Sequence, residues 1–167
     1  IKDRGIYMQT AGEANPGKMV AVMGDNQQLV EDVLAKLQSE GKRVYPANYN
    51  TFAQLVIGGV AADVDVAMTA LTEAGIQRMV ELPVSGAFHT PLLTQAATQL
   101  TERLTNETFA PFNYPVYSNT TGEAFSTDTL FDTLTKQIIS PTYFAQALQR
   151  KLDYSVVYIL GATCFKV

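Results

Sequence analysis

At 167 residues, with 47% hydrophobic and 17% charged side chains, the chain has the size and balance of one ordinary domain, or of two small subdomains sharing a core. Its 12 basic and 16 acidic residues give a net charge of −4, which excludes a general nucleic-acid-binding face but not a small anion gripped by one or two arginines. A single cysteine and a single histidine exclude an internal disulfide and a cysteine-cluster metal site, and leave zinc short of ligands. No run approaches the ~20 apolar residues of a membrane span and no signal peptide opens the chain, so it reads as a soluble cytoplasmic domain with neither membrane nor nucleic acid as partner.

Ile1 to Met8 reads as the end of a helix already under way, with no cap before it. Lys18 to Gly24 (KMVAVMG) predicts a short apolar strand. Asp25 or Asn26 then caps a helix whose apolar positions are Leu29, Val30, Val33, Leu34 and Leu37, stopped at Gly41. Val44 to Asn50 and Gln54 to Val60 follow as strands joined by a short turn. Asp63 to Ala74 predicts a helix ending at Gly75, and Gln77 to Val84 a closing strand. The order β-α-β-β-α-β is the ferredoxin-like pattern, which hosts many functions.

Beyond residue 84 the pattern changes. Thr90-Pro91 starts a helix with Leu92, Leu93, Ala96, Ala97, Leu100 and Leu104 on its apolar face. Tyr114 to Asn119 predicts a strand, Ser126 to Ile139 a helix, Ser140-Pro141 the start of another running to about Asp153, and Ser155 to Leu160 a buried strand. Alternating helix and strand suit an α/β layer. The closing Gly161 to Val167 brings no finishing element, and both ends read as cut.

The lone histidine, His89, sits in Pro83-Val84-Ser85-Gly86-Ala87-Phe88-His89-Thr90-Pro91-Leu92, where the closing strand gives way to a helix. Imidazole is the side chain suited to proton shuttling near neutrality, and a loop between strand and helix is where α/β proteins place chemistry. Without context, such a histidine more often holds a turn. The context here is specific. The stretch around His89, together with Arg4-Gly5 and Met8, Asn48-Tyr49-Asn50 with Gln54 to Ile57, Ser118-Asn119, and Gln137 with Ser140-Pro141, resembles the malonyl-CoA:acyl carrier protein transacylases of fatty-acid synthesis along the whole chain.

That resemblance implies a ferredoxin-like small subdomain (residues 13–84) inserted in an incomplete α/β-hydrolase-like large subdomain, to which residues 1–12 and 85–167 belong. It implies ping-pong transfer of a malonyl group from malonyl-CoA to the phosphopantetheine thiol of acyl carrier protein, with no cofactor of the enzyme's own. His89 matches the general base and Gln137 the residue whose backbone carbonyl orients it, although a helix-surface amide is the bland alternative for Gln137. Arg4 matches the arginine that holds the malonyl carboxylate, a task its planar fork suits. Phe88, beside the base, would crowd an α-substituent and select malonyl over methylmalonyl units. Asn50 and Asn119 are expected near the substrate, while Asn48, Asn50 and Gln54 also suit turns between strands.

The chain departs from the family in lacking any Gly-x-Ser-x-Gly nucleophile elbow and the Gly-Gln-Gly segment of the oxyanion hole, which are expected in a missing N-terminal segment. Ser85 lacks the elbow's context. The family's Gly-Pro-Gly-Lys is replaced by Gly161-Ala162-Thr163-Cys164-Phe165-Lys166, where Cys164 reads as a small buried hydrophobe rather than a nucleophile. The alternative function is a non-catalytic module that docks an acyl carrier protein or binds a small acid through Arg4. An RNA-binding use of the βαββαβ unit would need aromatic sheet motifs and a basic face, and neither appears.

Overall fold

The computed structural model describes residues 1–84 and 86–149. Ser85, the end of the helix expected to reach Asp153, the strand expected over Ser155–Leu160 and the segment bearing Cys164 lie outside the described residues. In chain order the elements are α1 (Lys2–Ala14), β1 (Gly17–Met23), α2 (Gln27–Ser39), β2 (Val44–Thr51), β3 (Gln54–Val60), α3 (Ala61–Glu73), β4 (Arg78–Glu81), a 3-10 turn (Pro91–Leu93), α4 (Thr94–Leu104), α5 (Thr127–Lys136), β5 (Thr142–Tyr143) and α6 (Phe144–Gln149).

The strands form one sheet in the order β4-β1-β3-β2-β5, antiparallel throughout except for the parallel pair β2–β5. Along β1 the apolar run shows no alternation because both faces of the sheet are covered. Val20 and Val22 face a core shared with Val30, Leu34 and Leu37 of α2 and Val64, Ala67 and Leu71 of α3. Met19 and Ala21 face the other way, into a smaller cluster with Ala47 and Val56 against which Phe88 packs. The expected glycine stops also hold. Gly41 at φ 85° and Gly75 at φ 100° take the left-handed conformation, and the residues after them, Lys42 and Ile76, donate back to the Leu37 and Leu71 carbonyls at 3.0 and 2.9 Å.

A separate cluster joins Met8 and Ala11 of α1 to Leu93 of the 3-10 turn, to Ala96, Ala97 and Leu100 of α4 and to Ile138. Residues at opposite ends of the sequence thus share a core that flanks the βαββαβ unit. The chain enters and leaves that unit at one place, where Pro16 and Gly86 form an antiparallel bridge.

The structure corrects four expectations. The closing strand ends at Glu81, not Val84: Leu82 still donates to the Met19 carbonyl at 2.9 Å, but Pro83 has no N–H to continue the ladder. Tyr114 to Asn119 is a loop carrying only an isolated bridge from Tyr117 to Ala124, with Pro115 inside it and Tyr114 81% exposed. The helix from Ser126 ends at Lys136, and Gln137 to Ile139 form a turn rather than a last helical turn. Ser140-Pro141 does not start a helix. Thr142 and Tyr143 instead pair with Asn48 and Tyr49, because the outer edge of β2 offers unpaired backbone groups and Tyr143 stacks on Tyr49 at a centroid distance of 4.9 Å.

Candidate active site

The His89 loop is seated on the sheet by a close approach that only glycine permits. A Cβ on Gly17 would lie 2.8 Å from the Ala87 Cβ and backbone nitrogen, whereas one on Gly58 would make ordinary contact with Thr90 at 3.4 Å and Ala87 at 3.5 Å. Thr90 is fully buried and its hydroxyl donates to the Ala87 carbonyl at 2.6 Å, closing the loop on itself. Sequence reasoning missed this seat, which rests on Gly17 at the start of β1. Replacing Gly17 with alanine is expected to lower stability by roughly 1–3 kcal/mol, the usual cost of overpacking, measured as a fall in the urea midpoint of the complete protein.

Between Ala87 and Thr90, His89 adopts φ 60°. Left-handed backbone at a residue other than glycine is uncommon and concentrates where a loop must aim a side chain. Here it aims the ring at the end of α5. Ser126 starts that helix with a capping box, its hydroxyl accepting from the Thr129 N–H at 3.2 Å while Thr129 Oγ1 accepts from the Ser126 N–H at 3.3 Å. Ten residues later the helix ends at Lys136, with Gln137 as its C-cap. Carbonyls at a helix C-terminus have no partner within the helix and carry the negative end of its dipole. The Gln137 carbonyl is one of these, and it lies 2.8 Å from His89 Nδ1. A carbonyl only accepts, so Nδ1 carries the hydrogen and the opposite nitrogen, Nε2, keeps its lone pair.

Burial lowers the His89 pKa most strongly, the hydrogen bond to the Gln137 carbonyl opposes it in part, and the nearby Arg4 charge adds a smaller lowering. The net direction is downward. His89 is therefore a neutral imidazole at pH 7, oriented with a free acceptor.

Arg4 reaches the same residue from α1. Its Nη2 donates to Gln137 Oε1 at 2.7 Å, and Gln137 Nε2 in turn donates to Asn119 Oδ1 at 2.8 Å. Burial lowers the Arg4 pKa, yet a guanidinium stays charged at any ordinary pH. Among the described residues no carboxylate pairs with it, whereas Lys18 meets Asp65 and Glu81, and Arg103 meets Asp3 and Glu107. A half-buried cation whose partner among the described residues is a neutral amide has donors to offer an anion.

Four of the residues singled out from sequence, Arg4, His89, Asn119 and Gln137, thus form one connected group. Phe88 adjoins it and packs against both the α1–α4 cluster and the smaller sheet cluster. Asn50 does not join the group through its donor: Nδ2 bonds Gln54 Oε1 at 3.1 Å beside the β2–β3 turn. The side chain of Gln137 as a bridge between Arg4 and Asn119 was not foreseen. Among the described residues, no group of three or more His, Cys, Asp or Glu side chains converges as metal ligands, and no helix is long and apolar enough to cross a membrane.

No family model matches the chain. Curated relatives do. Over 157 residues it is 32% identical to the malonyl CoA-acyl carrier protein transacylase of Bacillus subtilis, covering 93% of this chain and 50% of that one. Its fold superposes on the crystal structure of MCAT from Streptococcus pneumoniae with a TM-score of 0.86 and 38% identity, covering 92% of this chain and 50% of that one. A malonyl-transacylase solved with its type II PKS acyl-carrier protein matches at a TM-score of 0.83 and 26% identity, covering 90% of this chain and 48% of the other. The chain spans about half the length of the curated relatives it matches. By sequence and by structure alike, the chain is similar to about half of a malonyl-CoA:acyl carrier protein transacylase.

Proposed function

We propose that the complete protein carrying this chain transfers a malonyl group from malonyl-CoA to the phosphopantetheine thiol of an acyl carrier protein, with His89 as general base and Arg4 as the clamp on the malonyl carboxylate. The observation that carries this reading is that Gln137 holds both groups, the base through its backbone oxygen and the clamp through its side-chain oxygen. The relatives' names and the carrier-protein complex among the structural neighbours support the substrate and partner.

In the proposed cycle a serine hydroxyl, supplied from outside these residues, attacks the thioester carbonyl while His89 Nε2 takes its proton. The proton passes to the departing CoA sulfur. The carrier's thiol then loses its proton to Nε2 and attacks the acyl-serine carbonyl, and the departing serine oxygen takes that proton back to restore the hydroxyl and the neutral ring. The Gln137 carbonyl keeps the ring in the tautomer both half-reactions need, without taking the proton itself. Phe88, held between two packed clusters, is proposed to leave no room for an α-methyl group on the acyl unit.

The reading extends to architecture. The sheet order β4-β1-β3-β2 supports a ferredoxin-like small subdomain, and the packing of α1 on α4 supports a large subdomain of hydrolase-like type completed by chain not spanned here. On incubation with malonyl-CoA, the complete protein is expected to gain the mass of one malonyl group and to lose it on addition of holo-acyl carrier protein. A protein that binds the carrier but takes up no acyl group would be a docking module instead.

A further inference from the structure

The contact between Gln137 and Asn119 does work that the transfer reaction does not by itself require. A guanidinium has donors only, so the Gln137 atom facing Arg4 Nη2 at 2.7 Å is the amide oxygen. The other end of that amide is then a donor, and it needs an acceptor. Asn119 Oδ1 supplies one at 2.8 Å. Without it, the amide NH2 in a part-buried site would lose its partner, and Gln137 could leave Arg4 to find another.

Asn119 is itself held from two sides. Before it, Ser118 is buried, its carbonyl accepts from the Gly122 N–H at 2.8 Å with Gly122 at φ 72°, and its hydroxyl accepts from the Thr120 N–H at 3.1 Å. Its own carbonyl accepts from the Tyr143 N–H of β5, at 2.5 Å. That strand is fixed to β2, where Asn48 Nδ2 donates to Thr142 Oγ1 at 2.8 Å between two buried side chains. A rigid acceptor on one side of Gln137 thus fixes which way its oxygen points on the other.

We propose that Asn119 is a positioning residue: through the Gln137 amide it sets the direction of the Arg4 guanidinium, and so the preference for an acyl group that carries a carboxylate, without touching the acyl group. This rests on the proposed malonyl transfer. It differs from the substrate contact expected of Asn119, because a residue acting through Arg4 affects only acyl groups that use Arg4.

The test compares kcat/KM for malonyl-CoA and acetyl-CoA in the complete protein and in the variants Asn119→Leu, Asn119→Asp and Gln137→Met. Leucine matches asparagine in size and lacks the acceptor, whereas aspartate keeps it. Asn119→Leu is expected to lower the malonyl-to-acetyl ratio about tenfold, chiefly through KM for malonyl-CoA, as for one lost bond to a charged group. Asn119→Asp should stay within about threefold of the parent ratio. Gln137→Met keeps the backbone carbonyl on His89 and should show the same loss as Asn119→Leu. The double variant should then fall no further than the worse single one. Equal losses with both substrates, additive losses in the double variant, or an Asn119→Asp protein as impaired as Asn119→Leu would each overturn the proposal. A parent protein that transfers neither acyl group would instead overturn the malonyl-transfer reading beneath it.

Discussion

Replacing His89 with alanine in the complete protein is expected to reduce malonyl transfer by about a thousandfold or more, within the range that one positioned acid–base group contributes. The reason is geometric before it is electrostatic. Donation from Nδ1 to the Gln137 carbonyl leaves Nε2 as the ring's only lone-pair nitrogen, and both half-reactions of the proposed cycle pass a proton through it. Burial and the Arg4 charge keep the ring neutral, so the acidic limb of the transfer rate should lie below the ordinary histidine value of about 6.5. The same shift carries a stability sign. A histidine whose folded pKa is depressed binds fewer protons than the unfolded chain just below pH 6.5 or so, so its contribution to stability is lost as pH falls through that region. His89→Asn separates the roles. Asparagine tolerates the backbone at φ 60° but offers no base, so transfer should vanish while the urea midpoint at pH 7 stays near that of the parent. Transfer rates in His89→Ala within tenfold of the parent would remove the histidine from the mechanism.

The second large effect is expected at Arg4. Arg4→Ala should lower the preference for malonyl over acetyl groups roughly a hundredfold, equivalent to about 3 kcal/mol for a charge-assisted, two-pronged contact with a carboxylate. Acetyl transfer should change little, because an acetyl group has no anion for the guanidinium to meet. Arg4→Lys should recover only part of the loss, since an ammonium is a point charge and cannot bond Gln137 and both carboxylate oxygens in one plane. Since the Arg4 charge disfavours a protonated His89, Arg4→Ala should also move the acidic limb of the pH profile upward. An unchanged malonyl-to-acetyl ratio would remove the clamp. An unchanged acidic limb would show that Arg4 and His89 do not sense one another.

Much of this molecule is legible from residues alone, and the parts that are not share a cause. β3 runs from Gln54 to Val60 as its apolar stretch and flanking turn predict, and α2 and α3 stop at their glycines, because strand and helix signals act over a few neighbouring residues. The failures lie where a distant partner decides. Thr142 and Tyr143 look like the beginning of a helix after Pro141, yet the unpaired edge of β2 recruits them as a strand. Tyr114 to Asn119 looks like a strand and becomes a loop that presents Asn119. Within the site, His89 and Arg4 stand out through the motifs around them. The bridge from Arg4 to Gln137 joins residues 133 positions apart, and no local pattern announces it.

The bridge between Pro16 and Gly86 and the short β5 strand lie at different places on the βαββαβ unit, and together they limit how it can move. An insertion attached at one neck has a natural hinge there, and hinged closure is a common way to admit and seal a substrate. Here β5 clasps the outer edge of β2 at the far side of the sheet, so bending about the neck would strip the Asn48–Thr142 and Tyr49–Tyr143 pairs and the stacked rings with them. The unit is pinned like a plate bolted at two points. In the proposed transfer, substrate entry is then expected to depend on side chains and loops around Arg4 and His89, and not on one body swinging away from the other.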